Sequence, residues 1–284
     1  MSPLSRLMRH CLPAALSLLV LAACTGTGGA KPEPAPPRTL DVVTLNIYHD
    51  KADWPKRLPL IVAQLRALDA DVIALQEVLQ TQTLHNQAQT IAAELGYTVQ
   101  FVSTDPADQA HRYGNALLTR LPVKAQDWHR LQPHDDSRSI GHARLDIDGH
   151  PLDVYFTHLH WTLEGGAIRE VQVADALDFV SRTSGDVPSL ILGDFNAPAG
   201  APEFAGLRAR YIDAYGTQHP EADGAGVTTL NPHFFDYRSR IDLVFAQQGR
   251  FEIDDAQVVL DTPDAEGTWP SDHFGTWVRL RLRP

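Results

Sequence analysis

Asp194 and Asn196 lie near the end of the stretch SLILGDFNA, residues 189–197, and carry the clearest chemical signal in the chain. The apolar run Leu190-Ile191-Leu192 reads as a buried strand, and Gly193 marks where its backbone turns. An aspartate at a strand's C-terminal end accepts a proton or a hydrogen bond, and an asparagine amide donates to an anionic oxygen. The pair suits a site that activates water beside a phosphate. The same two residues also suit an ordinary strand-to-turn transition. What separates the two readings is whether other strands end in matching polar residues.

They do. Glu77 directly follows Val72-Ile73-Ala74-Leu75 and Gln76, where a carboxylate is costly in a core and well suited to a hard cation such as magnesium. Taken alone it reads more readily as an exposed strand-end glutamate. Asn46 lies near the end of the alternating run 39–48, and His158 ends the second arm of a hairpin, with His160 and Trp161 beyond it. Arg240-Ile241-Asp242 opens one late strand and Ser271-Asp272-His273 precedes the last. An aspartate buried against a histidine fixes its tautomer and raises its basicity, so such a pair takes a proton from water. With 13 histidines in the chain, one Asp-His adjacency is weak on its own. Zinc held by scattered histidines ranks lower, since no H-x-x-x-H helix occurs.

The elements that must position these residues follow from periodicity. Strands are predicted at 39–48, 71–76, 97–103, 113–119 and 123–128, then 139–147 and 151–157 as a hairpin, 189–193, 241–246, 251–260 and 274–282. Leu58, Ile61, Val62, Leu65 and Leu68 recur at helical spacing behind Asp53 as cap and Pro55 in the first turn. Leu84, Ala88, Ile91 and Leu95 mark a second helix closed by Gly96, and Ile168, Val171, Ala174 and Leu177 a third. A short helix is expected at 202–210, whereas 211–235 is interrupted by Gly and Pro and supports no assignment. Two runs of strands with helices between them suit two sheets packed face to face with helices outside, an α/β sandwich rather than a doubly wound parallel sheet.

In chain order, Thr44-Leu45-Asn46, Leu75-Gln76-Glu77-Val78, Tyr113-Gly114-Asn115-Ala116, Thr157-His158-Leu159, Gly193-Asp194-Phe195-Asn196-Ala197, Arg240-Ile241-Asp242 and Ser271-Asp272-His273 resemble the signature series of the endonuclease/exonuclease/phosphatase superfamily. The resemblance covers residues 39–284. It implies a DNase-I-like, four-layer α/β/β/α sandwich of two mainly antiparallel sheets, and a divalent metal, magnesium with manganese as the alternative. Glu77 is then the metal ligand, assisted by Asn46 and Asp272. His158 and Asn196, joined by Asn115, contact the scissile phosphate; Asp242 orients His273. Of the two groups that could take the proton from water, His273 is preferred, with Asp194 aligning the water.

The N-terminus stands apart. Arg6 and Arg9 precede the apolar run 12–23, too short to span a membrane comfortably and laid out as a secretion signal. Its end, Leu21-Ala22-Ala23-Cys24, resembles the lipobox of bacterial lipoproteins, which makes 1–23 a signal peptide, Cys24 a lipidated first residue and 24–38 a Pro/Gly-rich tether. The expected location is therefore outside the cytoplasm, on a membrane of a bacterial envelope. The other cysteine, Cys11, falls in the signal, so the mature chain has none to pair. The formal net charge is −11, and no Lys/Arg run follows the signal. That argues against tight duplex binding, which needs a basic stripe.

Three functions follow from these features. The leading one is a metal-dependent phosphoesterase acting on a lipid headgroup or another small phosphodiester, with His160–Gly166 placed to shape substrate choice and Trp161 either stacking on a substrate group or packing. A secreted or surface-anchored nuclease keeps the chemistry and needs cations such as Arg112, Arg138, Arg144, Arg238 and Arg240 to form a groove. A lipoprotein scaffold without catalysis is the third. No feature of the chain indicates an oligomer.

Overall fold

The computed structural model describes residues 39–283; the expected signal, Cys24 and tether lie outside the described residues. Among those residues, twelve strands form two six-stranded sheets. The first sheet contains β1 (Thr39–Asn46), β2 (Val72–Gln80), β3 (Thr98–Ser103), β4 (Arg112–Thr119), β11 (Phe251–Val259) and β12 (Gly275–Leu282), in the order β11-β12-β1-β2-β4-β3. The second contains β5 (Val123–Arg130), β6 (Ser139–Ile147), β7 (His150–His158), β8 (Ser189–Asp194), β9 (Tyr211–Asp213) and β10 (Asp242–Gln247), in the order β5-β6-β7-β8-β10-β9. Each sheet has one parallel pair. β1 and β2 are joined through α1 (Trp54–Leu68), and β7 and β8 through α3 (Gly166–Ser184). All other pairings are antiparallel, as the sequence led us to expect.

Period-two alternation builds the layers. Leu40 and Val42 of β1 and Leu190 and Leu192 of β8 face each other's sheets across the central core, with Val72, Leu145, Phe156 and Val244. The intervening Val43 and Leu45 turn outward onto Ile61, Val62 and Leu65 of α1 and onto Ala88 and Ile91 of α2 (Gln87–Leu95). Ile191, Phe245 and Tyr155 likewise meet Val173, Phe179 and Val180 of α3. The result is helix, sheet, sheet, helix. Because central strands are apolar on both faces, a one-residue slip would exchange the side chains of two different cores, and register is held accordingly. All three cores are built from residues within 39–283, so this segment carries a hydrophobic interior of its own.

Three expectations need correction. β1 stops at Asn46 rather than continuing to residue 48. β2 does not end at Gln76: Leu75 pairs with Ala116 and Val78 with Gly114, so Gln76 and Glu77 form a bulge opposite Asn115, and the strand runs on to Gln80. The stretch 202–210 is a 3-10 turn at Pro202–Phe204 followed by the single turn α4 (Ala205–Arg208). The unassigned region contains β9 and the short helix α5 (Ala214–Gln218), followed by a loop to β10. No helix among the described residues is long and apolar enough to cross a membrane.

Candidate active site

The parallel strands β1, β2, β7 and β8 bring their C-terminal ends to one pole of the sandwich, and the signature residues sit there in two register rows. In the first sheet, Asn46 pairs with Gln76, and the Gln76-Glu77 bulge lies opposite Asn115. In the second, His158 pairs with Asp194 and Asp194 with Asp242. One bond joins the rows across the sandwich: Asn46 Nδ2 donates to Asp194 Oδ2 at 3.0 Å. Gly193 makes this row possible. A Cβ there would lie 2.1 Å from the Thr157 carbonyl oxygen, so any side chain would push β8 off β7 immediately before Asp194.

Asp194 is held at both oxygens. Oδ1 accepts from the Asn196 backbone N–H at 2.9 Å, and Oδ2 faces His158 Nε2 at 3.4 Å besides Asn46. Burial and the charge of Asp242 push its carboxyl up to about 7. Asn196 adopts a left-handed conformation, φ 55°, which asparagine tolerates, and its Nδ2 donates to the Leu159 carbonyl at 3.0 Å. His273 Nδ1 lies 2.9 Å from Asp242 Oδ2 and 3.9 Å from Asp194 Oδ2. Burial pulls the His273 imidazole down, but Asp242, Asp194 and Asp272 outweigh it and hold the ring well above the usual histidine range. His158 goes the other way: burial, reinforced by Arg138 and His273, keeps it neutral, and its Nδ1 has no partner.

The third signature aspartate faces Glu77. Burial pushes the Asp272 carboxyl up to about 6, and Glu77's charge adds to the rise. Tyr113 and Tyr48 stand beside the same glutamate, each phenol held neutral by burial and the nearby carboxylates. Two carboxylates that feel each other's charge, with neutral phenols about Glu77, make a hard oxygen donor set that fits magnesium or manganese. Asn46 Oδ1 accepts from the Tyr48 N–H at 3.0 Å and keeps a lone pair for a cation. A second group capable of holding an ion is Asp194, Asp242 and His273, whose ligand atoms lie within 4.8 Å of one another.

Residues that periodicity did not flag lock this pole together. Arg57, 1% exposed, donates through Nη1 to the carbonyls of Ile47 at 2.7 Å and Pro270 at 2.9 Å, clamping the segment after Asn46 to the one before Ser271. Its signal was legible: Arg57 occupies the apolar stripe of α1 with Trp54, Ile61 and Leu65. Ser271 Oγ donates to the Asn46 carbonyl at 2.6 Å and accepts from the His273 N–H at 3.1 Å. From the unassigned loop, Thr229 Oγ1 accepts from the Ile241 and Asp242 N–H groups, and Asn231 Nδ2 donates to the Ser271 carbonyl. Of the five arginines that a nucleic-acid groove would need, Arg144 is spent on Asp153 and Arg240 on Asp213 and Asp223. Arg112 stacks over Phe101. Arg138 lines the cleft with Asn115 and His158.

Comparison with known proteins agrees with this geometry. The model of the Endonuclease/Exonuclease/phosphatase family matches residues 43–273, and the chain belongs to that family of divalent-metal-dependent phosphoric ester hydrolases. Protein angel homolog 2 of Danio rerio is 30% identical over 178 residues, covering 57% of this chain and 31% of its own. Nocturnin of Drosophila melanogaster is 27% identical over 280 residues, 81% of this chain and 42% of its own. The chain thus spans less than half the length of either relative. The structure of D. rerio TDP2 complexed with a single-stranded DNA product superposes with a TM-score of 0.70 at 17% identity, covering 86% of this chain and 99% of that one, a likeness of fold.

Proposed function

We propose that the protein hydrolyses a phosphodiester, a lipid headgroup or another small molecule, by in-line attack of activated water at the pole just described. The observation that carries the reading is the Asp242–His273 pair set beside the Asn46–Asp194 bridge and facing the Glu77–Asp272 carboxylates. Glu77 and Asp272, with Asn46, are the residues to hold a divalent ion. When bound, that ion neutralises phosphate charge and lowers the proton affinity of the groups around it.

The chain's own residues supply the rest. Asp242 occupies His273 Nδ1, so Nε2 takes the proton from water in the neutral ring, a form that the raised proton affinity makes a minor one near pH 7. Asp194, fixed by Asn46 and by the Asn196 N–H, aligns that water rather than moving. His158 and Asn115 line one cleft, where Arg138 adds the one cation, and Asn196 opens the neighbouring one; these three polar side chains would meet the phosphate oxygens as charge builds on them. Oxygen attacks phosphorus opposite the leaving oxygen, the P–O bond to that group breaks, and no covalent enzyme intermediate forms.

A location outside the cytoplasm is supported by Arg6, Arg9, the apolar run and Cys24. The nuclease reading draws on the relative solved with DNA, but the spent Arg144 and Arg240 weaken it. The scaffold reading is weakened by the contacts that join Asn46, His158, Asp194, Asp242 and His273. The test is hydrolysis of bis(4-nitrophenyl) phosphate, sphingomyelin and single-stranded DNA by residues 39–284, with magnesium or EDTA and with His273→Ala. Metal-dependent turnover of a small or lipid diester, lost in the variant, is the expected result. Preferential, salt-sensitive cleavage of DNA overturns it in favour of the nuclease, and no turnover in favour of the scaffold.

A further inference from the structure

Beside the site, two loops hold large apolar side chains out in solvent. Trp161 is 66% exposed, Leu163 69%, Tyr237 46% and Phe234 38%. These are four of the six large hydrophobic side chains so exposed among the described residues. Trp161, Leu163 and Tyr237 line one cleft that opens at Asn196, and Phe234 packs edge-on against Tyr48, 5.7 Å away, on the Glu77 side. The rim therefore brackets the catalytic pole.

The exposure of the first loop is enforced by buried bonds. Arg169, 3% exposed, donates to the carbonyls of His160 at 3.1 Å and Thr162 at 2.6 Å and is anchored by Glu203 at 2.9 Å. Gln172 Oε1 accepts from the His160 N–H, and Asp136 holds His160 Nδ1 at 2.7 Å. Gly165 lies so close to that ring that a Cβ would come within 2.2 Å of it. A loop fixed at this many points cannot fold Trp161 and Leu163 back into the domain. It displays them.

We infer that this rim docks the catalytic pole on the surface of a zwitterionic lipid bilayer. The lipid nature of the substrate rests on the function proposed above; the docking itself is measurable without turnover. Trp and Tyr favour the boundary between headgroups and acyl chains, and Leu and Phe favour the acyl side. The two loops carry Glu164, Asp236 and Arg238, a small net negative charge, and with a net charge of −11 on the chain they favour a surface without net negative charge. Chain length agrees. Fifteen residues from Cys24 to Arg38 reach about 50 Å when extended, whereas β1 carries Thr39 only about 25 Å from the pole. A tether lipidated at Cys24 is long enough to let the pole meet the membrane that holds it.

The experiment is cosedimentation of residues 39–284 with sucrose-loaded phosphatidylcholine vesicles in EDTA, for the unchanged sequence, Trp161→Ala/Leu163→Ala and Trp128→Ala. Trp128, 46% exposed on β5, serves as an exposed-tryptophan control outside the two loops. The expected result is vesicle binding that falls at least tenfold in the double variant and holds in Trp128→Ala, with all three melting within about 2 °C. Absence of binding by the unchanged sequence, equal binding by the double variant, or an equal loss in Trp128→Ala would overturn the inference. So would self-association, seen by sedimentation velocity without vesicles, that the double variant abolishes while vesicle binding is absent. Vesicle binding alongside no hydrolysis of any diester supports the docking and removes the enzymatic reading.

Discussion

Arg57→Met tests whether the pole is held by backbone contacts rather than by the signature residues alone. All five guanidinium N–H groups donate to carbonyls: Nε to Lys51, Nη1 to Ile47 and Pro270, and Nη2 to Tyr48 and His49. No carboxylate caps it, and burial pulls the group down to about 10, so it remains a cation at neutral pH. Methionine fills much of the space and removes the desolvation of a charge, which favours the variant. Against that, the carbonyls must find new partners. His49 keeps Gln87 Nε2, Tyr48 keeps the Lys51 N–H, and Lys51 is exposed to water. The carbonyls of Ile47 and Pro270, both in buried residues, lose this donor. At about 1–3 kcal/mol for each buried group left unpaired, the loss outweighs the relief and comes to about 3 kcal/mol. For a domain of this size that lowers Tm by about 6–12 °C. With Ile47 no longer clamped to Pro270, and the Ser271–Asn46 bond left to hold that junction, kcat for a soluble diester should fall about a hundredfold at temperatures where the variant is folded, with little change in KM. Arg57→Lys should recover part of the stability and little of the rate, because an ammonium lacks the planar fork. A variant that melts within about 2 °C of the unchanged protein, or keeps its kcat, would refute the reasoning.

Three further outcomes follow from the same geometry. Gly193→Ala drives a Cβ to 2.1 Å from the Thr157 carbonyl and should lower stability by about 3 kcal/mol or more, read by urea denaturation. Asp242→Asn keeps the shape but offers His273 Nδ1 the wrong partner, so kcat should drop about 10³- to 10⁴-fold with the melting curve little changed; a drop below tenfold would remove His273 as the proton acceptor. Arg138→Met removes the cation that lines the cleft with Asn115 and His158, and KM should rise about 10- to 100-fold while kcat changes less. A change confined to kcat would place Arg138 outside substrate binding.

What the sequence disclosed tracks what is local. The alternation of β1 and the helical stripe of α1 depend on the faces that each element buries, so both strand and helix were legible. The signature residues were legible as strand-end polar groups. The Glu77 bulge was not, because it is set by register against β4, and Glu77 turns to φ 60° only in that pairing. Nor were the roles of Thr229 and Asn231, which act through backbone bonds from a loop without periodicity. Arg144 and Arg240 illustrate the opposite error. Charge alone offers them to an anionic ligand, whereas Asp153, Asp213 and Asp223 had already claimed them.

The strand orders explain why two different chemistries share one pole. β11-β12-β1-β2-β4-β3 and β5-β6-β7-β8-β10-β9 have the same pattern of directions, with the parallel pair third and fourth. Position by position, Asn46 at the end of β1 corresponds to His158 at the end of β7, Glu77 in β2 to Asp194 in β8, and Asn115 in β4 to Asp242 in β10. Asp272 and His273 lie just before β12 as Arg138 lies just before β6. The first half presents oxygen donors suited to a cation together with His273, and the second buries the Asp194–Asp242 pair that meets that imidazole. Neither half suffices for water activation beside a phosphate. The Asn46–Asp194 bond, made between non-equivalent members of the two rows, fixes one half relative to the other together with Asp242–His273 and the bond from Thr276 Oγ1 to the Asp242 carbonyl. Asn46→Ala should therefore disturb the carboxylate side and the proton-transfer side together, a joint defect that a residue serving only one of them would not produce.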